Sequence, residues 1–141
     1  MRRLLLSLAR SALLLPLACG DGQDGDNTEA DKLGVGAQCQ SDADCNPDDA
    51  DTDGVQDQSC LPQFAGGYCG VQGCGSNADC PEGSACVTHT DGVNYCFRIC
   101  TDKAECNANR NPDVESNCSA NIVFTDGGQG FKACVPPSSG A

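Results

Sequence analysis

The chain has no tryptophan, one histidine, one methionine, four phenylalanines and two tyrosines in 141 residues. Aromatic content of 4% cannot fill a large apolar core, so cross-links must supply what burial does not. Cations are scarce as well. Eight Lys plus Arg stand against 20 Asp plus Glu, a formal net charge of -12. That balance argues against a nucleic-acid backbone or an anionic lipid surface as partner. The sequence has no Gly-rich phosphate loop, no histidine cluster of a metal hydrolase and no nucleophile elbow. His89 falls on a predicted hairpin strand with no identifiable partner, so a general-base role is not expected. The expectation is a protein that is not an enzyme. Cysteine is what the chain has in excess, 13 of 141 residues, the density of a disulfide scaffold.

Met1-Arg2-Arg3 is a short basic region. Leu4 to Leu17 is an apolar stretch broken by Ser7, Arg10 and Ser11, shorter than the roughly 20 residues a membrane span needs. Residues 1–18 therefore read as a signal peptide. The run Leu15-Pro16-Leu17-Ala18-Cys19-Gly20 then resembles the lipobox of bacterial lipoproteins, in which a cysteine after a small residue is diacylated on sulfur and begins the mature chain. The resemblance implies lipidation at Cys19, a membrane partner reached through that anchor, and an outer-membrane location facing the periplasm or the cell surface. The alternative is plain cleavage after Gly20 and secretion, since Ala18-Cys19-Gly20 is a small-x-small site. Either route takes Cys19 out of disulfide chemistry, by acylation or by removal, and leaves 12 thiols, an even number that suits complete pairing in an oxidising compartment. Loss of Arg2, Arg3 and Arg10 leaves five basic residues against 20 acidic ones, a net of -15. Residues 19–38 read as the lipidated cysteine followed by a flexible acidic tether.

The other cysteines form an internal repeat. Cys39-x5-Cys45, Cys74-x5-Cys80 and Cys100-x5-Cys106 each open a unit, and each is followed by two more cysteines: Cys60 and Cys69, Cys86 and Cys96, Cys118 and Cys134. The predicted fold is small and disulfide-rich: three tandem four-Cys modules over 39–73, 74–99 and 100–134, with little regular secondary structure and a flexible tail over 135–141. Within the x5 gap, Ser41, Ser76 and Asp102 stand three residues before Asp44, Asp79 and Glu105, the cap-x-x-acid pattern of a helix start. One helical turn is expected in each module, with the acid near its positive end in a structural role. A β-hairpin is expected after it. Cys86 to His89 and Asn94 to Phe97 flank Thr90-Asp91-Gly92, and Ile122 to Phe124 and Phe131 to Cys134 flank Thr125-Asp126-Gly127-Gly128.

The Cys-x5-Cys opening and the short cysteine-rich returns resemble the Dickkopf N-terminal cysteine-rich region and the invertebrate EB module. Those families are extracellular and non-catalytic, which implies binding or spacing and an unidentified protein or glycan ligand. Four cysteines in a module allow three pairings, and the sequence does not choose among them. First-to-third with second-to-fourth is the working expectation. A thiolate metal store is the rival for these cysteines; it would want Cys-x-Cys or Cys-x-x-Cys clusters, and the shortest gap is Cys96-x3-Cys100.

Between Cys45 and Cys60, Asp49, Asp51 and Asp53 alternate, Gly54 follows and Asp57 comes four residues after Asp53. A D-x-D-x-D-G loop wraps hard oxygen ligands around calcium, the glycine permits the sharp turn, and the next carbonyl, here of Val55, adds an oxygen. The segment from Asn46 to Cys60 also resembles a thrombospondin type 3 calcium repeat, which implies Asp49, Asp51, Asp53, Asp57 and the Val55 carbonyl as ligands of a structural calcium ion. The alternative is a solvated acidic turn. The reading is an exported cysteine-rich lipoprotein acting as a binding or adhesion module; the alternative is a secreted, unanchored inhibitor or toxin-like effector.

Overall fold

The invariant Cys-x5-Cys gap folds alike at all three places. A computed structural model describes residues 28–32, 34–46, 58–127 and 130–139. Asp42–Asp44 and Asn77–Asp79 each form one 3-10 turn, and α2 (Lys103–Asn107) is a short helix. In the first gap Asp44 Oδ2 accepts from the N–H groups of Gln40 (2.8 Å) and Ser41 (2.9 Å). In the second, Asp79 Oδ2 accepts from Gly75 (2.8 Å) and Ser76 (3.0 Å). In the third, Glu105 Oε2 accepts from Thr101 N–H (2.8 Å) while Glu105 N–H donates to Asp102 Oδ1 (3.1 Å). Each acid thus satisfies N–H groups that a helix start leaves without a partner. Those backbone donors hold the carboxyls of Asp44 and Asp79 below the ordinary carboxylate range.

Six disulfides link Cys39–Cys60, Cys45–Cys69, Cys74–Cys86, Cys80–Cys96, Cys100–Cys118 and Cys106–Cys134. Each set of four is joined first-to-third and second-to-fourth. The bridges close sequence separations of 12 to 28 residues, loops for which chain-entropy arguments give about 3–4 kcal/mol apiece. Gly67 is required by this packing. Its φ is +72°, and a Cβ there would lie 2.3 Å from the Cys39 carbonyl oxygen and 2.7 Å from the Cys39 Sγ.

Strands β1 (Ser59–Cys60) and β2 (Cys69–Gly70) form a two-stranded antiparallel pair. Five further strands are β3 (Ser84–Thr88), β4 (Asn94–Cys100), β5 (Asn117–Ser119), β6 (Val123–Phe124) and β7 (Lys132–Val135). They make one antiparallel sheet of order β5-β7-β4-β3-β6. The expected hairpin around Thr90-Asp91-Gly92 is present as β3 and β4, with Cys86 opposite Cys96. The expected hairpin of Ile122–Phe124 with Phe131–Cys134 is not. Val123 and Phe124 pair with Thr88 and Val87, and β7 lies between β4 and β5. Cross-strand burial wins here over the local turn signal: Phe124 enters the common core beside Val87.

The edge strands β5 and β6 are joined by Ala120–Ile122 alone. Such a link spans at most about 14 Å, whereas four flat strand spacings cover about 19 Å. The sheet therefore curls until its two edges approach each other.

Each cysteine set buries a small cluster around its own bridges, and one larger cluster draws on all three sets. Leu61, Phe64 and Tyr68 from the first cysteine set meet Ala85, Val87, Tyr95 and Phe97 from the second, and Phe124 and Ala133 from the third. Tyr95 and Phe97 stack at 5.9 Å, and Phe64 meets both edge-on at 5.1 and 5.7 Å. Each set keeps an antiparallel pair of its own, with Cys60 opposite Cys69, Cys86 opposite Cys96 and Cys118 opposite Cys134, and the sets share an aromatic cluster besides. With so few aromatic residues, no single set has enough to bury.

Two further expectations are corrected. The tether was expected to run to 38, yet α1 (Glu29–Lys32) docks on the body: Ala30 is fully buried, its N–H donates to Glu82 O (2.8 Å), and Asp31 pairs with Arg98. Val35 is buried too. The tail was expected to be flexible from 135, yet Val135 ends β7, Pro137 O accepts from Ala65 N–H (2.8 Å) and Ser139 N–H donates to Gln63 O (2.9 Å). Apolar side chains within otherwise polar segments account for both.

Candidate functional site

The proposed calcium ligands Asp49, Asp51, Asp53, Val55 and Asp57 lie outside the described residues, as does Cys19. The two ends of the acidic segment are described, and a side-chain clamp joins them. Asn46 Nδ2 donates to Gln58 O (2.7 Å) and Asp42 O (3.1 Å), and Asn46 Oδ1 accepts from Gln58 N–H (3.1 Å). Gln58 Nε2 reaches Cys45 O (3.4 Å), and Asp42 Oδ1 accepts from Cys60 N–H (2.8 Å). The Asn46 amide thus takes the place of a paired strand residue and holds the ends of the loop side by side.

All 12 cysteines from Cys39 to Cys134 are disulfide-bonded. Sulfurs of Cys39, Cys45 and Cys60, of Cys74, Cys80 and Cys86, and of Cys100, Cys106 and Cys134 cluster within 4.8 Å. Oxidised, they offer no thiolate to a metal.

His89 is not solitary. Its ring packs edge-on against Phe64 at 5.2 Å, and Nδ1 lies 3.5 Å from Asp91 Oδ1. Asp91 Oδ2 accepts from the Tyr95 hydroxyl (2.8 Å), which in turn accepts from Gln63 Nε2 (3.1 Å). Burial pushes the Asp91 carboxyl up, but the Val93 N–H, the Tyr95 hydroxyl and His89 together outweigh it and hold the group low. For Tyr95, burial and the Asp91 contact push the hydroxyl up. This chain fixes the β3–β4 turn to the aromatic core.

Among the described residues, two concavities stand out. The first, about 380 Å³, lies where the curled sheet brings its edges together, walled by Ile122, Val123, Val135, Pro136 and Pro137 and rimmed by Thr88, His89, Asn117 and Asn121. Val123 is 64% exposed there, an apolar side chain left in water. The second, about 620 Å³, lies between residues 38–44 and 108–111, and its lining includes Gln38, Gln40, Asp44, Asn109 and Asn111. Its walls are tied by hydrogen bonds from Gln38 N–H to Asn109 O (3.1 Å) and from Asn111 N–H to Gln38 Oε1 (3.0 Å).

Beneath the second concavity Arg110 is buried. Its Nε donates to Val114 O (2.9 Å), Nη1 to Gly36 O (3.2 Å) and Gly67 O (2.9 Å), and Nη2 to Ala65 O (2.7 Å). The guanidinium also lies over the Tyr68 ring, 5.9 Å from its centroid, a favourable placement for a cation. One side chain thus fastens residues 36, 65–67 and 114 together.

Comparison with protein-family models, curated proteins and solved structures finds no match to this chain. The concavities, Arg110 and the Asn46–Gln58 clamp were not anticipated from the sequence. Asn109-Arg110-Asn111 follows α2 as an ordinary polar stretch, and nothing local shows that it faces Gln38 and Gln40 some 70 residues earlier. The clamp had a weak signal: Asn46 and Gln58 flank the acidic segment symmetrically, each next to the loop it closes.

Proposed function

We propose that this chain is an exported, non-enzymatic binding or adhesion module, anchored through a lipid on Cys19. The observation that carries the reading is a scaffold closed by six disulfides with open concavities among its described residues. Such cross-linking belongs to proteins that fold in an oxidising compartment, and a stapled fold holds the walls of an open cleft in place, which lowers the ordering cost of binding there. His89, the one imidazole, is packed against Phe64 and the Asp91–Tyr95 chain, which supports a structural role for it. Within this reading the repeat is a set of three four-Cys modules, each with its own helical turn and two bridges, grown together over one core.

The acidic loop between Asn46 and Cys60 is proposed to hold a structural calcium ion through Asp49, Asp51, Asp53, Asp57 and the Val55 carbonyl. The clamp of Asn46 on Gln58 supports this, since it fixes both ends of a segment that carries five carboxylates and no cation over 47–57. Affinity in the 0.1–1 mM range of extracellular modules is expected.

Metabolic labelling with a radioactive fatty acid tests the anchor. Labelled chain in the membrane fraction, with label and membrane association both lost in Cys19→Ser, supports the reading. Unlabelled wild-type chain released into the medium overturns it in favour of a diffusible inhibitor or toxin-like effector.

A further inference from the structure

We infer that the polar cleft between residues 38–44 and 108–111 is a binding site for a neutral polyhydroxylated ligand, a glycan. The inference rests on the binding-module reading and names its ligand class and its site. The cleft, about 620 Å³, is the larger of the two concavities described above, and four of its eight lining residues, Gln38, Gln40, Asn109 and Asn111, carry side-chain amides. The side chains of Gln40, Asn109 and Asn111 face it exposed, and no hydrogen bond of the described structure uses their amide groups. Gln38 spends only Oε1, on Asn111 N–H, which leaves its Nε2 free. Asp44 spends only Oδ2, on Gln40, Ser41 and the Ser41 hydroxyl, which leaves Oδ1 free as an acceptor.

Each free amide offers two donors and an acceptor. A sugar hydroxyl is both donor and acceptor, so a row of amides with one carboxylate oxygen can pair with a polyol in both senses. An anion is disfavoured twice. The one carboxylate of the cleft repels it, and the one nearby cation, Arg110, has its guanidinium committed to the carbonyls of residues 36, 65, 67 and 114. An apolar ligand would leave the amides desolvated and unpaired, which costs free energy.

The walls are rigid, which matters because a weak polar ligand cannot supply the free energy to order them. Gln38 N–H donates to Asn109 O and Gln38 Oε1 accepts from Asn111 N–H. Arg110 holds 108–111 from below, and the Cys39–Cys60 and Cys45–Cys69 bridges hold 38–44. The buried arginine thus fixes the strip that presents Asn109 and Asn111 outward on either side of it.

Titration of the oxidised, 15N-labelled mature chain with maltose, cellobiose, mannobiose and diacetylchitobiose, each to about 10 mM, tests the inference, since single weak sites of this kind saturate in the millimolar range. The expected result is a set of amide shifts confined to Gln38–Asp44 and Ala108–Asn111 for at least one disaccharide. Asn109→Ala and Gln40→Ala should each weaken that binding about three- to tenfold, the worth of one lost hydrogen bond, with unfolding midpoint and thiol count unchanged because neither side chain bonds within the fold. Absence of shifts in those segments with every sugar overturns the inference, as do shifts there that both variants leave intact. Shifts centred on residues 117–123 and 135–137 instead overturn the cleft as the site but leave the binding-module reading standing. That reading fails separately, in the fatty-acid labelling.

Discussion

Replacing Arg110 with alanine should destabilise the fold strongly for a single polar change. The side chain is 8% exposed and donates hydrogen bonds at 2.7–3.2 Å to carbonyls of Gly36, Ala65, Gly67 and Val114. Four bonds at a net of about 1 kcal/mol each give about 4 kcal/mol. Against that, truncation regains part of what burying a cation costs, and burial pulls Arg110 below the ordinary arginine range in keeping with such a cost. The net expectation is a loss of about 2–4 kcal/mol in Arg110→Ala, measured by guanidinium unfolding with the disulfides kept intact. Arg110→Lys is the sharper probe. It keeps the charge, but one ammonium cannot reach carbonyls on three separate segments, so it should lose about 2 kcal/mol or more. A loss under about 1 kcal/mol in alanine, or a lysine variant equal to wild type, would refute the argument that the fork geometry holds these segments together.

Other perturbations bear on separate parts of the account. Gly67→Ala should prevent closure of Cys39–Cys60, since its Cβ would fall 2.7 Å from the Cys39 Sγ; free-thiol counting after oxidative refolding would show two reactive thiols, and a fully oxidised variant would contradict the packing. Joint replacement of Cys45 and Cys69 by serine should cost about 3–4 kcal/mol for the loop it opens, read from the shift of the unfolding midpoint. Calorimetry of the mature chain should show calcium binding with a Kd in the 0.1–1 mM range that Asp51→Asn together with Asp53→Asn abolishes; no heat at millimolar calcium would leave the acidic segment a solvated turn. Acid should destabilise the x5 turns. Asp44 and Asp79 have lowered pKa values in the fold, so their contribution is complete above the unfolded carboxylate value of about 4 and is lost as pH falls through the lower folded values. Thermal unfolding across pH 2–6 should therefore show a steeper acid limb in wild type than in Asp79→Asn; parallel limbs would count against it.

What the sequence disclosed was local. Ser41 with Asp44, Ser76 with Asp79 and Asp102 with Glu105 sit within one turn of each other, and a turn carries its own chemistry. The Thr90-Asp91-Gly92 hairpin was legible for the same reason, with Gly92 at a φ of +80°. The long-range pairings were not. Phe124 joins Val87 across the sheet and Ala30 packs under Glu82, choices made by the aromatic cluster and invisible to spacing. His89 looked solitary because Phe64, which its ring packs against, comes from the first cysteine set and reaches it only through the shared core; Asp91 and Tyr95 are neighbours within its own hairpin. The amides of the cleft come from two stretches that are ordinary in composition, and long-range bonds between Gln38 and Asn109 and between Gln38 and Asn111 bring the two into register.

The central claim, an exported and fully bridged scaffold on a lipid anchor, is tested most directly by intact mass of the protein from its native membrane, with alkylation before and after reduction. The account predicts the mass of Cys19 to Ala141 plus lipid, no alkylation before reduction and 12 alkylated thiols after it, as the six disulfides require. A lipid-free mass beginning at Asp21 would contradict the anchor, and thiols alkylated without reduction would contradict the scaffold itself.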